Sequence, residues 1–211
     1  MVFMKHKLFD TFIWKSKINY KQKDKLKEKL LKDFSENKNN FVTGWDCFVH
    51  SSFLDQEKNT LPEDLLDIIQ GKVTEYLDEC PDELKIKGTY IISNIWYNIY
   101  EKNYFQEPHV HNSLFSGCYY LKFNKEKHHQ TTFYNPNYKL NYSKVEESSY
   151  FCFESDCEED DIIIFPSNLM HGTKGLKEKS SEESRITVSF NVVNPNIALN
   201  EQLRIKRVSY N

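Results

Sequence analysis

The spacing of apolar residues changes character near residue 87 of this chain. Before that point it is helical. Leu26, Leu30, Leu31 and Phe34, set among many lysines, predict an amphipathic helix from about Tyr20 to Phe34, ended by Asn37 to Asn40. Leu65, Leu66, Ile68, Ile69 and Val73 predict a second helix from about Pro62 to Leu77, with Thr60 as its cap and Glu79-Cys80-Pro81 as its stop. Ahead of both, Leu8-Phe9 and Phe12-Ile13-Trp14 suit an extended segment that docks on an apolar surface. After about Lys87 come short β-branched and aromatic runs separated by turn formers: 90–92, 95–97, 118–123, 131–134, 162–165 and 186–193. Many short strands at such spacing predict a sandwich or jelly roll. The expected architecture is one α+β domain. A helical support region spans 1–87, a jelly-roll core spans 88–195 with the two N-terminal helices packed on its outer face, and a C-terminal extension spans 196–211.

Composition narrows function more than fold. At 39% hydrophobic and 15% aromatic, the 211 residues can build a core rich in Phe and Tyr. The formal net charge of −3 gives no general electrostatic case for a nucleic acid or an anionic membrane. No run approaches the roughly 18 apolar residues of a membrane span, and the first seven residues lack the apolar centre of a secretory signal. Five cysteines, Cys47, Cys80, Cys118, Cys152 and Cys157, form no close CxxC pair. They read as reduced, mostly buried thiols of a cytoplasmic protein. The acidic segment Glu154 to Asp161 reads as a solvated loop before a buried strand, or as a contact for a basic partner. A homodimer stays open.

Chemistry concentrates between His109 and Asn191. In His109-Val110-His111 the imidazoles stand at i and i+2, which places them on one side of an extended chain. His171, from a distant strand end, could complete one face of a metal's coordination sphere and leave positions free for substrate or oxygen. The bland alternative is a pair of surface imidazoles on a loop after Pro108. His6, His50 and His128-His129 stand in polar or terminal surroundings and read as non-functional. In Arg185-Ile186-Thr187 guanidinium and hydroxyl share one strand face and can grip the two oxygens of a carboxylate; Asn191 follows on that face. Ile186, Val188 and Phe190 form the opposite, buried face, so Arg185 meets either solvent or a barrel interior.

Together, Trp96-Tyr97-Asn98, the HxH, Ser116-Gly117-Cys118-Tyr119-Tyr120, Phe165-Pro166-Ser167 with His171, and Arg185 through Asn191 resemble the 2-oxoglutarate/Fe(II)-dependent oxygenases found in phages and bacteria. The resemblance extends over nearly the whole chain. It implies a double-stranded β-helix with Fe(II) held at one mouth by His109, His111 and His171, and 2-oxoglutarate as cosubstrate. Arg185 and Thr187 would hold the distal carboxylate, with Asn191 near the end that chelates iron. Asn98-Ile99-Tyr100 is similar to the Asn-x-Tyr of the nucleic-acid demethylase branch, which implies that Asn98 and Tyr100 contact the cosubstrate. The superfamily pattern is His-x-Asp or His-x-Glu, and here His111 takes the carboxylate's place. Three histidines, a carboxylate from Glu107 or Asp161, or a different metal would each complete the site; the i, i+2 spacing favours three histidines.

The implied activity is hydroxylation of a protein side chain or small molecule, in the cytoplasm or, for a viral protein, the host cytoplasm. Two other readings are a cupin-like metalloenzyme that does not use 2-oxoglutarate, and a degenerate oxygenase fold kept as a binding or virion-associated module. The acidic balance argues against a long nucleic-acid footprint, which would need several phosphate-neutralising cations.

Overall fold

The sequence folds into two antiparallel sheets that share a buried interior. The computed structural model describes residues 11–37, 47–53, 61–80, 88–101, 103–135, 152–174, 176–177 and 183–195. Leu8-Phe9, His6, the Thr60 cap, Pro81 and the 196–211 extension lie outside the described residues. In chain order the elements are β1 (Trp14–Lys17), α1 (Lys23–Glu36), β2 (Cys47–Phe48), β3 (His50–Ser51), α2 (Glu63–Glu79), β4 (Ile91–Tyr100) and β5 (Phe105–His109). Then follow β6 (Phe115–Lys122), β7 (Thr131–Tyr134), β8 (Cys152–Glu154), β9 (Asp161–Pro166), β10 (His171–Thr173) and β11 (Arg185–Val193). One sheet runs β1-β9-β6-β11-β4-β3 and the other β2-β5-β10-β7-β8.

Both predicted helices form, each displaced by a few residues. Pro62, extended at φ −66° and ψ 141°, precedes α2, and Glu63 and Asp64 sit in its first turn, where the helix dipole favours them. The runs at 90–92 and 95–97 are a single strand, β4, whose ladder with β11 shifts register at Asn191/Val192. Ser93 and Asn94 break the hydrophobic pattern at that irregularity without ending the strand. The sheets also take in β1, β2 and β3 from before residue 88. None of the described helices is long and apolar enough to cross a membrane.

Strand β11 divides its side chains as the alternation requires. Ile186, Val188, Phe190 and Val192 join a buried cluster with Leu26, Leu30 and Phe34 of α1 and Leu65, Ile69 and Val73 of α2. Arg185, Thr187, Ser189 and Asn191 face the other way, into a cavity. A second cluster, including Tyr120, Phe133, Ile163 and Phe165, fastens the two sheets to each other.

The acidic segment before β9 is tied down rather than simply solvated. Lys27 meets Glu159 at 2.6 Å, Lys23 meets Asp160 at 2.5 Å, and Lys17 meets the buried Asp161 at 3.0 Å. These contacts hold α1 and β1 against the start of β9. Asp160 sits at φ 72°, a left-handed conformation that Asp tolerates better than most residues.

At Gly117 the neighbouring strands leave no room for a side chain. The residue lies opposite Phe190, and a Cβ there would stand 2.1 Å from the Phe190 ring. Both residues are fixed in central strands, so the ring has little room to retreat. Gly117→Ala should therefore destabilise the protein by about 1–3 kcal/mol, the usual range for overpacking a core. Urea denaturation checks this, and an unchanged midpoint would show that the ring moves freely.

Candidate functional site

A cavity of about 440 Å³ opens between the sheets. Strand register arranges its floor in rungs: Arg185 opposite Tyr100, Thr187 opposite Asn98, Ser189 between Trp96 and Cys118, and Asn191 between Asn94 and Ser116. The other wall comes from β10 and its neighbours. There Thr173 pairs with Thr131 and Gln106, and His171 pairs with Phe133 and His109. Gly172 makes the second rung possible: a Cβ on it would stand 2.9 Å from the main-chain oxygen of Gln106. Only glycine lets β5 lie this close to β10.

The three histidines converge. His109 is the last residue of β5, His171 the first of β10, and His111 lies two residues past the strand end. One potential ligand atom from each falls within 4.8 Å of the others. His109 Nδ1 donates to the Glu107 carbonyl at 2.7 Å and His171 Nδ1 to the Leu169 carbonyl at 2.9 Å. In each ring that makes Nε2 the unprotonated nitrogen, the arrangement metal-binding imidazoles adopt. Nε2 of His111 and Nε2 of His171 stand 3.2 Å apart. Burial, helped by the neighbouring histidines, lowers the pKa of His111 to about 4 and that of His171 to about 3. Burial also lowers that of His109. Near neutral pH the rings are therefore uncharged and able to ligate.

Among the described residues no carboxylate joins this group. Glu107 is engaged through its main-chain carbonyl, and Asp161 accepts from the Glu158 N–H and pairs with Lys17. Neither takes the position that a third, acidic ligand would need.

Arg185 faces the interior and is 1% exposed. It donates from one terminal nitrogen to Thr173 Oγ1 and from the other to Thr131 Oγ1. Its guanidinium carbon lies 4.8 Å from the centre of the Tyr100 ring and 5.4 Å from that of Tyr120. No acidic side chain among the described residues pairs with it, and its Nε has no partner. A buried cation in this state needs an anion.

The remaining expected residues line the same cavity with partners of their own. Thr187 sits one rung beyond Arg185. Tyr100 donates its hydroxyl to Gln106. Asn98 donates to Ser189 Oγ at 3.2 Å, and its Oδ1 is buried without a partner. Asn191 Oδ1 accepts from Ser116 Oγ at 2.9 Å. Thr131, Thr173 and Gln106 were not foreseen. Thr173 had a legible signal, since it follows His171 at i+2 and so shares its face; Thr131 and Gln106 become visible only through cross-strand register.

His50 and His128 depart from the expected polar surroundings. Both are buried. His128 is fully used inside the fold, accepting from the Asn124 N–H and meeting the Glu183 carbonyl. Each stands outside the cavity. Cys80, Cys118 and Cys157 are buried free thiols, and Cys152 is partly exposed.

Residues 94–191 match the family model described as "Putative 2OG-Fe(II) oxygenase". No curated protein sequence matches the chain. Solved structures share the architecture. A prolyl-4-hydroxylase from Pseudomonas putida aligns at a TM-score of 0.59 and 9% identity, over 85% of this chain and 91% of that one. HygX from Streptomyces hygroscopicus, solved with nickel, 2-oxoglutarate and hygromycin B, aligns at 0.58 and 11%, over 87% and 83%. A prolyl hydroxylase from Trichoplax adhaerens, in complex with a peptide fragment of the hypoxia inducible factor oxygen degradation domain, aligns at 0.55 and 13%, over 88% and 84%. At such identities these likenesses establish the fold, the double-stranded β-helix. Residues 94–191, the stretch that matches this family model, carry the three histidines and Arg185.

Proposed function

We propose that the protein is a hydroxylase in which His109, His111 and His171 hold Fe(II), while Arg185 anchors the distal carboxylate of 2-oxoglutarate. The observation that carries this reading is a buried guanidinium with no acidic partner among the described residues, in the same cavity as three uncharged imidazoles. Metal and cosubstrate fit those two ends: neutral nitrogens suit iron, and a carboxylate suits the fork of Arg185. When bound, they supply the oxidising chemistry, coupling decarboxylation of the cosubstrate to hydroxylation of a C–H bond.

The chain's own residues do the positioning. Thr131 and Thr173 orient the guanidinium, and Tyr100 forms a wall beside it while engaging Gln106. Thr187 and Asn98 line the floor next to the clamp, and Asn191 marks the far rung. Residues 88–195 would form the catalytic core, with α1 and α2 as its outer cover. A cupin-like site without 2-oxoglutarate would leave Arg185 unexplained, and a pure binding module would leave both the cation and the imidazoles so.

The substrate is a protein side chain or a small molecule. HygX was solved with hygromycin B and the Trichoplax prolyl hydroxylase with a peptide fragment, so the shared fold serves both. The buried free thiols suit a reducing, cytoplasmic setting.

Replacing Arg185 with Ala should raise the 2-oxoglutarate requirement at least about 30-fold, the scale of losing roughly 2–5 kcal/mol from a buried charge pair. Metal uptake should persist. Succinate formation measured against 2-oxoglutarate concentration tests this, and an unchanged requirement would place the clamp elsewhere. His171→Ala should lose both metal retention and succinate formation; retention of one metal per chain would remove His171 from the ligand set.

The buried imidazoles also set a pH dependence. In the unfolded chain they take up protons near the ordinary histidine value of 6.5, whereas folded His111 and His171 resist until about 4 and about 3. Between these limits the unfolded state binds more protons, so folding stability falls as pH falls. The urea midpoint of metal-free protein should drop from pH 7 to pH 5, and less so in His171→Ala. Equal midpoints at the two pH values in the unsubstituted protein would contradict the burial of neutral rings.

A further inference from the structure

His111 is the one histidine of the three that no strand holds, and a chain of buried hydroxyls stands where a strand would be. Its main-chain N–H donates to the Ser167 carbonyl at 2.9 Å, and the Ser167 N–H donates to the Leu114 carbonyl at 3.1 Å. The Ser167 hydroxyl meets Ser113 Oγ at 2.6 Å and Ser116 Oγ at 2.8 Å. Ser116 donates onward to Asn191 on β11. Ser167 is wholly buried and Ser116 almost so. The network thus ties three segments together: the loop of His111, the turn between β9 and His171, and the central strand β11. The Leu169 N–H closes that turn on the Pro166 carbonyl, and the Leu169 carbonyl in turn holds His171 Nδ1.

We propose that Ser167, with Ser116, is a positioning residue that fixes His111 against His171 at the distance a shared metal requires. The inference rests on the three-histidine metal site proposed above. Alanine at 167 would keep both main-chain bonds of this turn. What it could not do is hold Ser113 and Ser116 in register, since each hydroxyl here is oriented by the next. With only its main-chain bond to Ser167 left, His111 would be held less firmly, while His109 and His171 stay fixed by the β5–β10 ladder. The expected signature is a weakened and altered metal site in a protein that folds normally.

The test uses the full chain, metal-free and titrated with Co(II), whose visible spectrum reports its ligand geometry. Ser167→Ala should keep the thermal melting point of the metal-free protein close to that of the unsubstituted one. It should bind Co(II) about tenfold more weakly, the scale of losing a supporting contact around a metal ligand, and show a changed visible band. Ser116→Ala should reproduce both effects and gives the test a second variant should Ser167→Ala fail to fold. The double substitution should be no worse than the more severe single one, because the two hydroxyls act in series. Unchanged Co(II) affinity and spectrum in a folded variant would overturn the proposal while leaving the metal site intact, provided that His171→Ala loses the ion. Failure of the unsubstituted protein to take up Co(II) would overturn both.

Discussion

Arg185 is the constraint on which the interior is organised. A histidine taken out of water can shed its proton, but a guanidinium stays charged, so its burial cannot be relieved by titration. The fold compensates locally with two threonine hydroxyls and the faces of Tyr100, Tyr120 and Phe123. Dipoles and π-faces lower the cost of the charge without cancelling it. Several otherwise unrelated features follow. Thr131 and Thr173 sit directly opposite each other on β7 and β10, and β11 opens with Arg185 opposite Tyr100. Among the described residues no acidic side chain answers the charge around which the cavity is built.

The histidine end obeys the opposite logic. Burial there is relieved by neutrality, and neutrality is the state in which an imidazole can ligate. With His111 in place of a carboxylate, a bound dication would keep its whole charge, since the ligand set contributes none. The proposed cosubstrate is a dianion: one carboxylate answers Arg185, and its other end answers the metal. Arg185 and a bound dication would together carry three positive charges, of which the dianion offsets two. An acidic ligand in place of His111 would already offset one of the metal's charges before the cosubstrate bound. The proposed three-histidine site thus ties metal retention to cosubstrate binding more strongly, as a consequence of Coulomb's law at short range in a poorly solvated space.

Much of this was legible in the sequence because it depends on period. Alternation separated Ile186, Val188 and Phe190 from Arg185 and Thr187, and the structure keeps that division. What alternation could not decide was whether the polar face met water or an interior. That depends on β10 and β7 lying opposite, where Thr173 is 12 positions from Arg185 and Thr131 is 54. For the same reason Gln106 and Thr131 stayed hidden, since neither carries a local signal. The burial of His128 was also illegible: its neighbours in sequence are polar, and its partner Glu183 is 55 residues away. The acidic run misled because charge suggests solvent, whereas Lys17, Lys23 and Lys27 come from an edge strand and a helix folded against it.

His109-Val110-His111 shows how a correct spacing can be realised by an unexpected route. A strand continued through His111 would carry both rings on one side by pleat alone, but β5 ends at His109. The ladder to β10 fixes His109, and Gly172 permits the close approach that brings His171 beside it. Beyond the strand end the main chain is guided by hydrogen bonds to Ser167, a residue of the turn that also leads into His171. Two of the proposed ligands are thus placed by backbone pairing and the third by contacts reaching across from another turn. Pairing is shared by any sheet of this topology, whereas those contacts are main-chain bonds between two irregular segments, reinforced by the hydroxyls of Ser113, Ser116 and Ser167. The geometry least fixed by strand pairing therefore belongs to His111, the position at which this chain departs from the acidic residue of the superfamily pattern.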